Sequence, residues 1–205
     1  MTLSFSRRFA ALILLTLPLP TYALNIEELA TALAERGADS TDYQQTRYLG
    51  ILDEPLESSG RLSFEPPDRL VQEQRHPEAR TLILDGDQLT FEAEDRRRVV
   101  QLDDSPEGAA LADSLRGILN GRIEALREDY ELVLSERPGN GWRLHLLPRR
   151  QVLAERIRRI EVVGQINAGL AAVERLTLEF ANGDRSVMRL GPHGNADPDD
   201  ERRSP

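Results

Sequence analysis

From Tyr43 to Leu190 the sequence is built of short runs in which every second residue is apolar, and each run stops at a cluster of Pro, Gly, Asn or Asp. A period of two sends alternate side chains to opposite faces of an extended chain, so each run reads as a strand with one apolar and one polar face. The first four are residues 43–49, 59–65, 69–76 and 80–85. In "LILDGDQLTFEA" the Asp85-Gly86-Asp87 corner turns the chain between two apolar runs, a strong hairpin signal. Leu89, Phe91 and Ala93 then share a face opposite Thr90, Glu92 and Glu94. Residues 99–102 continue the meander after "EDRRR", which reads as a solvated charged turn. Later runs present Tyr130, Leu132 and Leu134, then Trp142, Leu144 and Leu146, then Ile160 and Val162, then Leu176, Leu178 and Phe180; Met188 and Leu190 close the series. Pro66-Pro67, just past Leu62 and Phe64, cannot donate to a sheet ladder, so that turn belongs at a rim.

Local order with tight turns favours antiparallel pairing, and a sheet of about eleven strands must curl. Its concave apolar face then needs a cover. Asn25 followed by Glu28 resembles a capping box and starts a helix with Ile26, Leu29, Ala30 and Leu33 at helical spacing, ended by Gly37. A second helix starts at Ser105-Pro106, carries Leu111, Leu115, Ile118 and Leu119, and stops at Asn120-Gly121. A short helix over 123–127 follows. The expected architecture is α+β: a curved, incompletely closed antiparallel β-barrel of about eleven strands, with helices over the concave apolar face. Leu29, Leu33, Leu111 and Leu115 are its lid residues.

The termini set the compartment. Arg7-Arg8, an apolar run over 9–19 and Thr21-Tyr22-Ala23 form a cleavable secretory signal over residues 1–23, too short to span a membrane. One folded domain is expected over 24–190, and 191–205, "GPHGNADPDDERRSP", reads as a disordered polar tail. An exported chain without cysteine has no disulfides, so its stability must come from a packed core. The formal charge is −9, and the leader carries two arginines and no acid, so the remainder is more acidic still. That charge argues against nucleic acid and anionic membranes as partners. Every basic residue is arginine, a bias to which no function attaches.

Motifs for covalent chemistry are missing. The sequence holds no G-x-S-x-G, H-E-x-x-H, P-loop or G-x-G-x-x-G. His76, His145 and His193 have no shared ligand spacing, Asp85 and Asp87 fit hairpin turn chemistry, and Asp103-Asp104 fit a helix N-terminus. No enzyme, metal or cofactor is expected. The collective feature is the apolar face itself. Aromatic residues make up only 5% of the chain, so bulky plugs are scarce and a cavity is favoured over a filled interior. Its expected lining is Tyr43, Leu62, Phe64, Leu89, Phe91, Leu132, Trp142, Leu144, Leu146, Ile160, Leu176, Leu178, Phe180 and Met188. An acyl chain of about sixteen carbons would gain on the order of 12 kcal/mol there before binding costs.

The leader, the first helix, "DYQQTR", "SSGRLSFEPPDRL", "LILDGDQLTF", a helix pair, "YELVL…GWRLHLLP" and "GDRSVMRL" together resemble the LolA-like outer-membrane lipoprotein carriers over most of 24–190. The resemblance implies an open β-barrel with an α-helical lid. It also implies a monomeric periplasmic carrier that takes acylated lipoprotein or lipid from an inner-membrane donor complex to an outer-membrane acceptor. Pro66 stands where the family carries the arginine that holds its lid, Thr90 where a tryptophan is common, and the chain ends soon after "MRLG". These departures point to a divergent branch with a different lipid cargo. Two other readings compete: a lipid-sensing regulatory module resembling RseB, and an exported hydrolase.

Overall fold

The protein is described here by a computed structural model covering residues 24–94, 96–102 and 106–191. The expected leader, the Asp103-Asp104-Ser105 helix start, and the tail from 192 lie outside the described residues, as do the side chains of 106–108, Ala110 and Leu111.

Eleven strands form one sheet: β1 (Asp39–Tyr48), β2 (Leu56–Glu65), β3 (Arg69–His76), β4 (Arg80–Asp85), β5 (Gln88–Ala93), β6 (Arg96–Gln101), β7 (Tyr130–Arg137), β8 (Gly141–Pro148), β9 (Ile157–Asn167), β10 (Leu170–Phe180) and β11 (Arg185–Leu190). In space the order is β6-β5-β4-β3-β2-β1-β11-β10-β9-β8-β7, and every neighbouring pair is antiparallel. The sheet is therefore two meanders joined where the first strand meets the last, with Tyr43 opposite Leu190 and Tyr48 opposite Arg185. Among the described residues no ladder joins β6 to β7, so the barrel stays open, as expected.

Among the described residues three α-helices accompany the sheet: α1 (Ile26–Ala34), α2 (Pro106–Leu119) and the four-residue α3 (Gln151–Ala154), with a 3₁₀ helix over Ile123–Glu128. The capping box of α1 closes as the sequence requires, with the Glu28 amide donating to Asn25 Oδ1 at 2.8 Å and the Asn25 amide reaching Glu28 Oε2. That cap fixes the helix phase and turns Leu29, Ala32 and Leu33 onto the sheet.

Three departures from the alternation pattern have physical causes. Arg96–Arg98 are not a turn: they extend β6, facing Ala93, Glu92 and Phe91 of β5. The ladder already running through Val99 and Val100 carries the arginines with it, and Glu94 turns left-handed, at φ 46°. Strand β10 starts at Leu170, six residues before the first clear alternation. A bulge between Val173 and Arg175 resets its phase, so Val173 and Leu176 both face inward although three residues apart. The helix α3 is too short for helical periodicity to reveal.

Two glycines let large aromatic rings lie flat against the sheet. Gly164 faces Trp142 across the β8–β9 ladder, and a Cβ there would stand 2.6 Å from the indole and 1.9 Å from the Ala172 carbonyl oxygen. Gly60 faces Tyr43 across the β1–β2 ladder, where a Cβ would stand 1.9 Å from the Glu73 carbonyl oxygen, and both rings are fully buried. Deleting a side chain on one strand gives the partner's ring a seat.

Candidate functional site

Registers place all the expected lining residues on the concave face. From Tyr43 the row runs through Gly60 to Gln74; from Leu62 it runs through Gln72 and Leu82 to Phe91 and Arg98; from Phe64 it runs through Leu70, Leu84 and Leu89 to Val100. On the other meander, Met188 faces Leu176, Leu178 faces Ile160, Ile160 faces Leu146, and Leu132 faces Leu146 from the next strand. Phe180 lies opposite Ile157 at the end of β10.

Sharing a face does not give these residues one environment. Trp142, Leu144, Leu146 and Ile160 are fully buried in a cluster with Leu29 and Leu33 of α1, Ile123 and Leu126 of the 3₁₀ helix, and Leu153 of α3. Leu132, Leu176 and Leu178 pack against this cluster half-buried. These side chains touch protein rather than an open space. Across the seam the cover is thin: Leu84, Leu102 and Ala112 form a small cluster, with Leu70, Leu89 and Ala109 against it. Leu62 and Leu82 are half-buried, and Phe91 is 44% exposed. The accessible apolar floor is thus that of β2–β6, beneath α2. Leu115 of α2 is half-buried.

Two polar ties hold α2 over that floor. The guanidinium of Arg116, 7% exposed, donates to the Gly86 carbonyl at 3.0 Å and to Asp113 Oδ1 at 2.7 Å. Asn120 donates from Nδ2 to the Pro67 carbonyl at 3.1 Å. The helix therefore reaches down to the β4–β5 and β2–β3 turns. The arginine stands on the helix, and Pro67 of the β2–β3 turn contributes a carbonyl. Sequence patterning did not reveal these ties; Arg116 sits among apolar helix positions and reads as an ordinary surface cation.

The floor is not uniformly apolar. Gln45 donates to Ser186 Oγ at 2.8 Å and accepts from Ser58 Oγ at 3.3 Å, so β11, β1 and β2 share a polar bridge at the seam. The Tyr43 hydroxyl beside it is buried and has no partner in full hydrogen-bonding geometry. Burial pushes that phenol up, opposed in part by the nearby Gln72 and Ser58 side chains, which keeps it a neutral donor.

The convex face carries its own buried charge. Glu161, 4% exposed, lies 2.8 Å from His145 Nε2, 3.2 Å from Arg143 Nε and 3.6 Å from Arg175 Nη2. Burial alone would raise its carboxyl, but the His145 hydrogen bond and the two guanidiniums outweigh that and hold it below the ordinary value.

The family model for outer membrane lipoprotein carrier protein LolA-like matches residues 19–189. The chain belongs to the LolA-like family. No curated protein sequence matches it significantly. Among solved structures, a LolA superfamily protein from Nitrosomonas europaea is 11% identical, with a TM-score of 0.45 over 85% of this chain and 94% of that one. The lipoprotein LppX of Mycobacterium tuberculosis is 12% identical, with a TM-score of 0.40 over 84% of this chain and 97% of that one. The Pseudomonas aeruginosa MucA/MucB complex matches at 16% identity and a TM-score of 0.39, over 88% of this chain and 59% of that one.

Proposed function

We propose that this LolA-like protein is a periplasmic carrier that shelters the acyl chains of a lipoprotein or related lipid on the β2–β6 floor beneath α2 and moves them toward the outer membrane. The observation that carries the reading is the uneven cover of the concave face. A soluble chain gains nothing from leaving Phe91, Leu82 and Leu62 in contact with water, whereas burying an acyl chain on them releases roughly 0.8 kcal/mol per CH₂. Family membership and the exported leader read over 1–23 support the same direction. In this reading the carrier domain is 24–190, 191–205 is a polar tail, cargo passes from an inner-membrane donor to an outer-membrane acceptor, and no covalent chemistry takes place.

Native mass spectrometry of protein purified from its own host tests this. Bound lipid, released on mild denaturation, is the expected result. Protein that is always empty and takes up no fluorescent acyl probe would refute the proposal.

A further inference from the structure

In β2–β6 the charges are sorted by face. Every carboxylate of these strands, Glu57, Glu65, Glu73, Asp85 and Glu92, falls on the convex side of the registers. On the concave side stand three arginines: Arg98 opposite Phe91, Arg96 opposite Ala93, and Arg80 opposite Gln74. They occupy the end of the floor remote from α2, so the floor runs from Leu84, Leu89 and Val100 under the helix, through Leu82 and Phe91, to a basic rim. Arg96 and Arg98 make no ion pair among the described residues, while Arg97, pointing to the other face, meets Glu92 at 3.4 Å. Arg80 meets Glu78 of the β3–β4 turn at 3.0 Å.

Spacing brings the three within reach of one anion. Arg96 and Arg98, two residues apart on one strand, have Cα atoms about 7 Å apart, and Arg80 is two strands from Arg96, about 10 Å. Small Ala93 lies between them. A guanidinium on a long flexible stem covers such distances and binds phosphate through two parallel hydrogen bonds. Like charges gathered on one face of a sheet repel each other, so this arrangement is best accounted for by an anion that joins them. Protection of a free sheet edge explains charges along β6, but it explains neither Arg80, two strands inside, nor the removal of every carboxylate to the other face.

We infer that the cargo is an amphiphile with a phosphate headgroup, its phosphate held by Arg80, Arg96 and Arg98 and its acyl chains laid over Phe91, Leu82 and Leu62 toward α2. The inference rests on the carrier reading above and adds the head chemistry and the orientation. Binding is measured with two short-chain probes below their aggregation thresholds, didecanoyl phosphatidic acid and didecanoylglycerol, and with inorganic phosphate as competitor. Intact protein should prefer the phosphate lipid by about tenfold or more. R80Q/R96Q/R98Q should lose that preference, keep its affinity for didecanoylglycerol and give an unchanged circular dichroism spectrum. R97Q, on the opposite face, should keep the preference. Equal binding of both lipids would overturn the inference while leaving the carrier reading standing, and failure of both lipids would overturn the carrier reading too. Full displacement by millimolar inorganic phosphate would reassign the rim to free phosphate, and displacement by an acidic peptide instead would reassign it to a protein partner. Either displacement overturns the amphiphile.

Discussion

The two meanders of this sheet use the same alternating pattern for different ends. In β7–β11 the inward side chains meet α1, α3, the 3₁₀ helix and Ile118 of α2, and Trp142, Leu144, Leu146, Ile160 and Val162 are all at 0% exposure. In β2–β6 the described cover is the small cluster that Leu102 and Ala109 and Ala112 of α2 make with Leu84, and Phe91 keeps 44% of its surface in water. One half carries a packed core and the other keeps an apolar surface available. If cargo binds as proposed, stability and binding rest on different strands, so a change in one need not disturb the other.

The sharpest way to break that comparison is to truncate one aromatic from each half. Trp142→Ala empties a fully buried site seated on Gly164 and should cost about 4 kcal/mol in urea denaturation. Phe91→Ala should cost about 1 kcal/mol or less. Equal losses would mean that the halves are not distinct. The same contrast applies to charge insertion: Leu144→Arg should unfold the protein, while Phe91→Arg should leave it folded and unable to take up an acyl probe.

A smaller effect is expected on the convex face of the packed half. Glu161→Gln should cost about 2 kcal/mol at neutral pH, less than a fully buried pair, because Arg143 and His145 keep partial access to water. The folded carboxyl lies below its ordinary value of 4.5, so its stabilisation is complete above that value and is lost as the pH falls through the folded one. Denaturation midpoints measured from neutral pH down to about 3 should fall less steeply for Glu161→Gln than for the parent. Parallel slopes would show that the cluster contributes nothing to acid lability.

The ties of α2 come next. Arg116→Ala removes the bonds to Gly86 and Asp113, and Asn120→Ala the bond to Pro67, each worth about 1 kcal/mol. Hydrogen exchange should quicken in the α2 amides of either variant and stay unchanged in β8–β10. Exchange that quickens in both places would show that the contact of Ile118 with the large cluster couples the helix to the packed half as strongly as the two ties couple it to the open one. The smallest effect should follow Gln45→Leu, which breaks the bridge to Ser58 and Ser186 on the partly exposed floor: stability should change by less than about 1 kcal/mol, read as a small shift in the urea midpoint.

Alternation made the strands legible because it is a local signal, set by two neighbouring side chains. The hairpin at Gly86, the cap at Asn25 and the helix start at Pro106 are equally local, and the structure follows all three. The side on which Leu62 and Leu144 fall could be read for the same reason. That one is half-exposed and the other sealed could not, since this depends on where α1 settles after more than 100 residues of chain have folded between α1 and β8. Arg96 and Arg98 were misread because charge density suggests a turn when it is weighed without the ladder that Val99 and Val100 continue. The phase change at Glu174 hid Ala171 and Val173 from the inward set, although both are buried.

The strand order has a mechanical consequence. Sequence neighbours β6 and β7 are, among the described residues, the two edge strands of the sheet, and the chain that joins them runs through α2 and the 3₁₀ helix. The cover of the floor is thus also the covalent link between the two edges. Any shift of α2 along the floor has to be taken up within the one connection that joins them.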